Sequence, residues 1–362
     1  VIRIGIRSLA DFTAFAIVIW AQWHIGISIL AASRGRAAWV QNLLKGLLAA
    51  VLAWLFIGFA FSYHTVNQIV PLPAVVRGLL SGGAYLWAFS VTGGYLLNLV
   101  WRRLARGGGG PEFDPGRRNL VSAAGGALAA TPFALAGFGG LIQRTDFHVR
   151  EIDIPIPNLP RDLEGLRILQ LSDIHLGPFL DERELARVID ASQNLRPHLA
   201  VITGDLISMR GDPLDACLRQ IARLRADAGI LGCMGNHEVY SHSVEYATAE
   251  GARLGIDFLR KQARLLRFGE ATLNVAGVDY QAITDSSRYL RGAERLIVPG
   301  AVNVLLSHNP DVFPVAAEKG YDFTISGHTH GGQINVEILH HDLNIARFFT
   351  PFVHGRYHLK RS

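Results

Sequence analysis

In the second half of this chain, each histidine- or aspartate-bearing motif follows directly on a short apolar run. Leu166-Arg-Ile-Leu-Gln-Leu171 leads into Asp173-Ile174-His175, and Leu199-Ala-Val-Ile-Thr203 into Gly204-Asp205. Gly229 to Met234 leads into Gly235-Asn236-His237-Glu238, and Val302 to Leu306 into Ser307-His308-Asn309-Pro310. Tyr321 to Ile325 leads into Gly327-His328-Thr329-His330-Gly331-Gly332. Short apolar runs bounded by turn formers read as buried strands, and Glu182 to Leu195 and Leu214 to Arg225 read as amphipathic helices between them. His148 to Ile156 alternates as a further strand, with Val149, Ile152, Ile154 and Ile156 apolar. Alternating strands and helices predict an α/β fold with a parallel sheet. Ligands bind outside the carboxyl ends of such strands, so the motifs are expected to converge at one rim of one sheet.

Together the motifs supply two aspartates, one asparagine and four or five histidines, each beside a small or turn-forming residue. That set suits two adjacent divalent cations. A two-metal site clamps the attacking and leaving oxygens of a phosphoryl displacement, so a metal-dependent phosphoester hydrolase is expected. Glycines 204, 235 and 327 also have a plain role, as tight turns at strand ends.

The first half has a different character. The chain is 49% hydrophobic and only 18% charged, and its mean hydropathy is positive at +0.23. Four apolar stretches, roughly 9–33, 38–61, 73–100 and 119–142, each contain the ~20 residues needed to cross a bilayer core. All six tryptophans fall here, several near predicted span ends, as interfacial anchoring requires. Residues 1–143 are therefore expected to form a four-helix transmembrane anchor, and 144–362 a soluble domain. Residues 1–143 hold 11 Lys/Arg against 3 Asp/Glu, and the remainder 24 against 27. The basic pI belongs to the flanking loops, which argues against a nucleic-acid surface on the second half. Only Cys217 and Cys233 are present, too few for a disulfide framework or a cysteine-rich metal site.

Arg34 and Arg36 follow the first stretch, and Arg102, Arg103, Arg106, Arg117 and Arg118 follow the third. The link from Ser62 to Pro71 has neither Lys nor Arg. The positive-inside rule puts the first and third links in the cytoplasm, against weaker votes from Arg3 and Arg7, and sends the soluble domain outside it. Arg117-Arg118-Asn119-Leu120-Val121 before an Ala/Gly-rich segment looks like a twin-arginine export signal, with an ordinary basic flank as the alternative. Residues 107–116 read as a flexible link.

The motifs Leu171-Ser-Asp-Ile-His-Leu-Gly177, Gly204-Asp205, Gly235-Asn-His-Glu238, Leu306-Ser-His-Asn-Pro-Asp311 and Ser326-Gly-His-Thr-His-Gly-Gly-Gln-Ile334 resemble those of the calcineurin-like metallophosphoesterase superfamily. The likeness covers about residues 145–357 and is nearest to a membrane-anchored bacterial branch with twin-arginine-exported phosphoesterases. It implies an α/β sandwich domain. It implies further that Asp173, His175 and His330 hold a first metal, that Asp205 bridges, and that Asn236, His308 and His328 hold a second. A bridging carboxylate keeps two cations about 3.5–4 Å apart against their repulsion. Such a donor set suits Mn, Fe, Zn or Co. His237 resembles the catalytic histidine, which stabilises phosphoryl oxygens or protonates the leaving alkoxide. The nucleophile implied is a metal-bridging hydroxide. Tyr240 and His242 are candidates to meet substrate, and Asp279 to orient a ligand. His340, His341, His354 and His358 read as surface or packing residues.

Relatives usually continue with more strands past the position of Gly355-Arg-Tyr-His-Leu. This chain begins with Val and ends at Ser362, so an incomplete sequence or an early-terminating member is expected. Partners are expected to be a phosphoester, lipid-linked where the site lies near a bilayer, and the membrane itself, without nucleic acid. A pyrophosphatase acting on UDP-2,3-diacylglucosamine is the alternative enzyme, although that chemistry is cytoplasmic. A non-catalytic metal-binding sensor or scaffold is the alternative from another class, and it would be expected to lose His237 or the bridging ligand. A transporter with a fused hydrolase would need paired charges within the spans, and a nuclease would need a basic rim.

Overall fold

The computed structural model describes residues 6–63, 66, 69–70, 72–106, 115–141, 146–332, 335–338, 341–348 and 350–359. Most of the glycine-rich link expected over 107–116 lies outside the described residues, as does His340. The chain divides into two compact units, Val1–Phe147 and His148–Ser362.

The first unit is helical. Helices α1 (Ile6–Ala32) and α2 (Ala38–Phe61) are followed by a helical turn (Ala74–Arg77), a π-turn (Gly78–Gly82), α3 (Gly83–Arg106) and α4 (Pro115–Leu141). Small residues let these helices approach closely, as helices in lipid require. A Cβ on Gly94 would lie 2.6 Å from the Ala129 carbonyl oxygen. Large apolar side chains point outward, with Trp39 70%, Leu135 65% and Phe89 63% exposed, the reverse of a water-soluble bundle. Among the described residues, three helical segments are long and apolar enough to cross a membrane: Asp11–Ala32, Ala38–Phe61 and Asn119–Gly140. The third expected stretch is helical, but α3 dilutes its apolar residues with Ser90, Thr92 and Asn98 before ending in three arginines.

The second unit holds two four-stranded sheets. In the first, β1 (Ile168–Leu171), β2 (Leu199–Ile202), β3 (Ile230–Gly232) and β4 (Ile256–Phe258) lie side by side in that order, all parallel. In the second, β5 (Gln262–Phe268) pairs antiparallel with β6 (Ala271–Gly277), followed in parallel by β7 (Val302–Leu306) and β8 (Phe323–Ile325). Strands β9 (Asn335–Ile338) and β10 (His341–Asn344) form a separate hairpin. The period-two alternation of strands decides which core each side chain enters. Leu199 and Val201 meet Val302, Val304 and Leu306 in one cluster, the layer joining the two sheets. Ala200 and Ile202 turn to the opposite face, against helices α5 (Glu182–Gln193) and α6 (Leu214–Ile221). On the outer face of the second sheet, Ala276 and Leu305 pack against Leu290, Ala293 and Tyr321.

Helix α5 starts where a capping box sets it. The Asp181 carboxylate accepts from the Glu184 amide, and Glu184 accepts in return from the Asp181 amide, at 2.9 Å each, satisfying two otherwise unpaired donors. The expected strand at His148 to Ile156 has no ladder partner among the described residues. Val149 and Ile152 are exposed, while Ile156 packs against the layer between the sheets. Alternation marks a one-sided apolar segment, but a strand also needs a free edge to pair with.

The expectation of a single sheet is corrected here. Asp173, His175, Asp205, Asn236 and His237 follow strands of the first sheet, and His308, His328 and His330 follow strands of the second. Every one of those strands presents its carboxyl end, so the sequence pattern is the same for one sheet or two.

Candidate metal centre

Beyond the ends of β1 and β2 the backbone continues as two parallel segments. The amides of Asp173, His175 and Leu176 donate to the carbonyls of Gly204, Asp205 and Leu206 at 3.0, 3.0 and 2.9 Å, and Leu176 bridges to Ile207. Past a strand end, side chains no longer need to alternate. Asp173, His175, Asp205, His328 and His330 all adopt positive φ, from 47° to 76°. That region costs a non-glycine residue on the order of 1–3 kcal/mol, and its use clusters at functional sites. Gly204, at φ +91°, has no room for a side chain: a Cβ there would lie 2.5 Å from the Gly235 nitrogen and 2.8 Å from His308 Nδ1.

Two groups of ligand atoms result. Asp173, His175, Asp205 and His330 form one, and Asp205, His308 and His328 the other, each spanning no more than 4.8 Å. Asp205 belongs to both. In the first group His175 Nε2 lies 3.1 Å from His330 Nε2 and 3.6 Å from Asp205 Oδ2, and His330 Nε2 lies 3.4 Å from Asp173 Oδ1. In the second, His308 Nε2 lies 3.1 Å from each of Asp205 Oδ2, Asn236 Oδ1 and His328 Nδ1. Ligands about 2.0–2.2 Å from a common ion are separated from one another by roughly 3–3.5 Å, so these donor sets fit divalent cations. His308 Nδ1 donates to the Thr203 carbonyl oxygen at 2.6 Å, which turns Nε2 towards Asp205.

Charge balance agrees with the geometry. Burial holds the His175 imidazolium down to about 4, against the opposing pull of Asp205. Burial and the charge of His308 bring His328 to about 4 as well. Both rings are neutral at neutral pH, the form in which imidazole ligates. Burial pushes the Asp205 carboxyl up, but the hydrogen bond and charge of His308 outweigh it and bring it down to about 2. Burial likewise opposes the charge on His308, which its contacts with Asp205 nonetheless raise. The carboxylate thus draws onto His308 the positive charge that a bound cation supplies.

A pH dependence follows for the metal-free protein. His175 and His328 take up protons near 6.5 when unfolded and only near 4 when folded. The unfolded state binds more protons in that window, so stability falls as pH drops through it. The Asp205 contribution lies lower, between 3.8 and about 2, and that of His308 lies above 6.5. Thermal melts of chelator-treated protein are expected to show Tm falling steadily from about pH 6.5 to about pH 4.5. A flat Tm across that range would mean that these rings are not buried in the neutral form.

His237 stands beside the first group, its ring 4.6 Å from that of His175. Its amide donates to Asp205 Oδ1 at 2.9 Å, and its Nδ1 donates to the Ser208 carbonyl oxygen. Nε2 is left as the nitrogen available for proton exchange. Glu238, fully buried, accepts from the amides of Asp205, Leu206 and Gly235 at 2.9, 2.8 and 2.8 Å. It ties the turn after β3 to the turn after β2. Burial, then the charge of Asp205, pushes its carboxyl up, against the three amide donations.

Tyr280 is a neighbour that the motifs miss. Its ring centroid lies 6.0 Å from that of His308 and 5.8 Å from that of His328. Tyr240 stacks edge-on near His237, at 5.9 Å. The signal was available, because Tyr280 also lies just past the carboxyl end of a strand, β6. Asp279 pairs with Arg260 at 2.9 Å and lies 3.9 Å from Lys261, on the side of basic residues and not of the candidate ligands. His242, His354 and His358 are exposed. Cys217 and Cys233 are buried free thiols, and burial pushes both up, away from the reactive thiolate.

Residues 166–332 match the family described as calcineurin-like phosphoesterase. An uncharacterized metallophosphoesterase of Aquifex aeolicus is 32% identical over 198 residues, covering 51% of this chain and 70% of that one. An uncharacterized metallophosphoesterase of Campylobacter jejuni is 30% identical over 219 residues, covering 58% and 54%. A transmembrane protein with metallophosphoesterase domain from Danio rerio is 30% identical over 224 residues, covering 58% and 49%. The chain therefore spans about half the length of the latter two relatives.

Proposed function

The chain belongs to the calcineurin-like metallophosphoesterase family, and from that premise we propose that it is a membrane-anchored phosphoester hydrolase with a dinuclear metal site. The observation that carries this reading is the pair of donor groups sharing Asp205, with His237 alongside. Asp173, His175 and His330 would hold one cation, Asn236, His308 and His328 the other, and Asp205 both. Mn, Fe, Zn and Co suit this mixture of carboxylate, amide and imidazole donors. When bound, two such cations neutralise phosphoryl charge and lower the pKa of water enough to supply a nucleophile near neutral pH.

The protein side of the reaction is orientation and proton handling. His237, fixed through Nδ1 on the Ser208 carbonyl, presents Nε2 to the phosphoryl group or its leaving oxygen. Tyr280 and Tyr240 wall the centre beside His308, His328 and His237, where the leaving group or the rest of the substrate would lie. A general phosphomonoesterase or phosphodiesterase is the activity proposed. A site tethered near a bilayer has ready access to lipid phosphoesters.

Residues 1–143 are taken as the anchor. Three apolar helices support this, and the helical stretch from Ala74 to Arg106 is long enough to add a fourth span. With four spans, the arginines after the first and third place the catalytic domain outside the cytoplasmic membrane. The Arg117-Arg118 pair suits twin-arginine export of an already folded domain.

The test is hydrolysis of bis-p-nitrophenyl phosphate and p-nitrophenyl phosphate by detergent-solubilised protein, metal-stripped and then supplied with Mn, Co, Zn or Mg. Turnover is expected only with metal, and His237→Ala is expected to lower kcat by roughly 10²–10⁴-fold while metal still binds. Folded protein that turns over neither ester with any of these metals would overturn the general-esterase reading.

A further inference from the structure

We propose that Ser208 is a positioning residue that sets the ring tautomers of two site histidines at once, His175 through its hydroxyl and His237 through its carbonyl. The inference rests on the hydrolase reading for the roles of those two rings, and on geometry for the rest.

The parallel run of the segments after β1 and β2 pairs Leu176 with Ile207, which brings the next residue, Ser208, within reach of the His175 ring. Ser208 Oγ lies 3.3 Å from His175 Nδ1, and the opposite ring nitrogen, Nε2, faces His330 and Asp205. A hydroxyl accepting from Nδ1–H leaves the Nε2 lone pair directed at the cation position. Ligating histidines depend on such outer partners for tautomer and ring orientation. One atom row further on, the Ser208 carbonyl oxygen accepts from His237 Nδ1 and leaves that ring's Nε2 free for the phosphoryl group. Each ring therefore has Nδ1 committed to Ser208 and Nε2 committed to chemistry.

The residue is itself held. Asp212, buried, accepts from the Ser208 and Met209 amides at 3.1 and 2.9 Å through one oxygen. That clamp closes the turn between Ile207 and Pro213, so the carbonyl points at His237 instead of water. A serine placed only for the turn would need neither its hydroxyl at His175 nor its carbonyl at His237.

The experiment is a Mn²⁺ titration of the metal-stripped full chain in detergent, followed by calorimetry and electron paramagnetic resonance. The wild type, Ser208→Ala and Ser208→Thr are compared. Ser208→Ala is expected to weaken one of the two binding events about 10–100-fold and to leave the other within about twofold. Ser208→Thr, which keeps the hydroxyl, is expected to recover most of the loss. Long-range ¹H–¹⁵N spectra are expected to show His237 protonated at Nδ1 in all three proteins, because the carbonyl survives both substitutions. Unchanged binding in Ser208→Ala, equal weakening of both events, or a His237 ring protonated at Nε2 would each overturn the proposal. A wild type that binds Mn²⁺ but hydrolyses neither nitrophenyl ester would defeat the general-esterase reading alone, and the binding comparison would still decide the role of Ser208.

Discussion

Replacing Asp205 by Ala is expected to reduce metal-dependent hydrolysis by roughly a thousandfold or more, since the loss of one preorganised electrostatic donor already costs about 10²–10³. Asp205 is common to both donor groups, and it also receives the His237 amide and faces His308 Nε2 at 3.1 Å. Its removal separates three functions: the link between the two cation positions, the anchor of the His237 turn, and the charge that balances His308. Metal titration should show both binding events weakened, unlike the single-site effect expected at Ser208. Asp205→Asn, which keeps the shape and one acceptor oxygen, should fold normally yet remain nearly inactive. An Asp205→Ala protein that retains metal-stimulated turnover would remove the basis for a shared, bridging carboxylate.

The largest stability effect is expected at Glu238. Its carboxylate is the acceptor for three buried amides, those of Gly235, Asp205 and Leu206. Glu238→Ala strands all three donors, and each unsatisfied buried group costs about 1–3 kcal/mol. Allowing for water entering the space left behind, the loss is roughly 3–5 kcal/mol, a large share of the about 5–15 kcal/mol that holds a domain folded. The second unit should melt about 10 °C lower or more, with Asp205 misplaced even where the fold persists. Glu238→Gln should be intermediate, because its amide group sets a donor against donors. Differential scanning calorimetry of the metal-stripped proteins checks the order, and a Glu238→Ala melt within about 2 °C of wild type would contradict the account. Working without metal keeps this readout separate from ligand stabilisation.

Much of this was legible in the chain because the strands and their ends carry local signals. Val302 to Leu306 is a continuous apolar run, and His308 follows it directly. The same reasoning located β1, β2, β3 and β8 and the residues behind each. The capping box of Asp181 and Glu184 sits at the start of α5, where the amphipathic pattern begins. The apolar stretches 38–61 and 119–142 were recognisable by length and composition alone, since those are the properties that a bilayer reads. The stretch 73–100 was harder to judge, because Ser90, Thr92 and Asn98 dilute a helix that the structure nonetheless forms.

Other features had no local signal. Whether His308 and His330 belong to the same sheet as Asp173 depends on where the chain leaves β4 and begins a second sheet, and both arrangements give the same run-then-motif pattern. Ser208 and Asp212 lie in a turn whose composition is unremarkable, and their importance comes from which ring nitrogens they reach. Glu238 could be read as part of a motif, but its three backbone partners belong to two separate turns. Which residue types stand at strand ends, and which segments suit a bilayer, can be read from the chain, because propensity and apolar periodicity act over a few neighbouring residues. The position of Asp205 between two donor groups, and the nitrogen each histidine presents, emerge from long-range packing alone. Those relations arise from the packing of Leu199 and Val201 against Val302, Val304 and Leu306, which joins two sheets from distant parts of the chain.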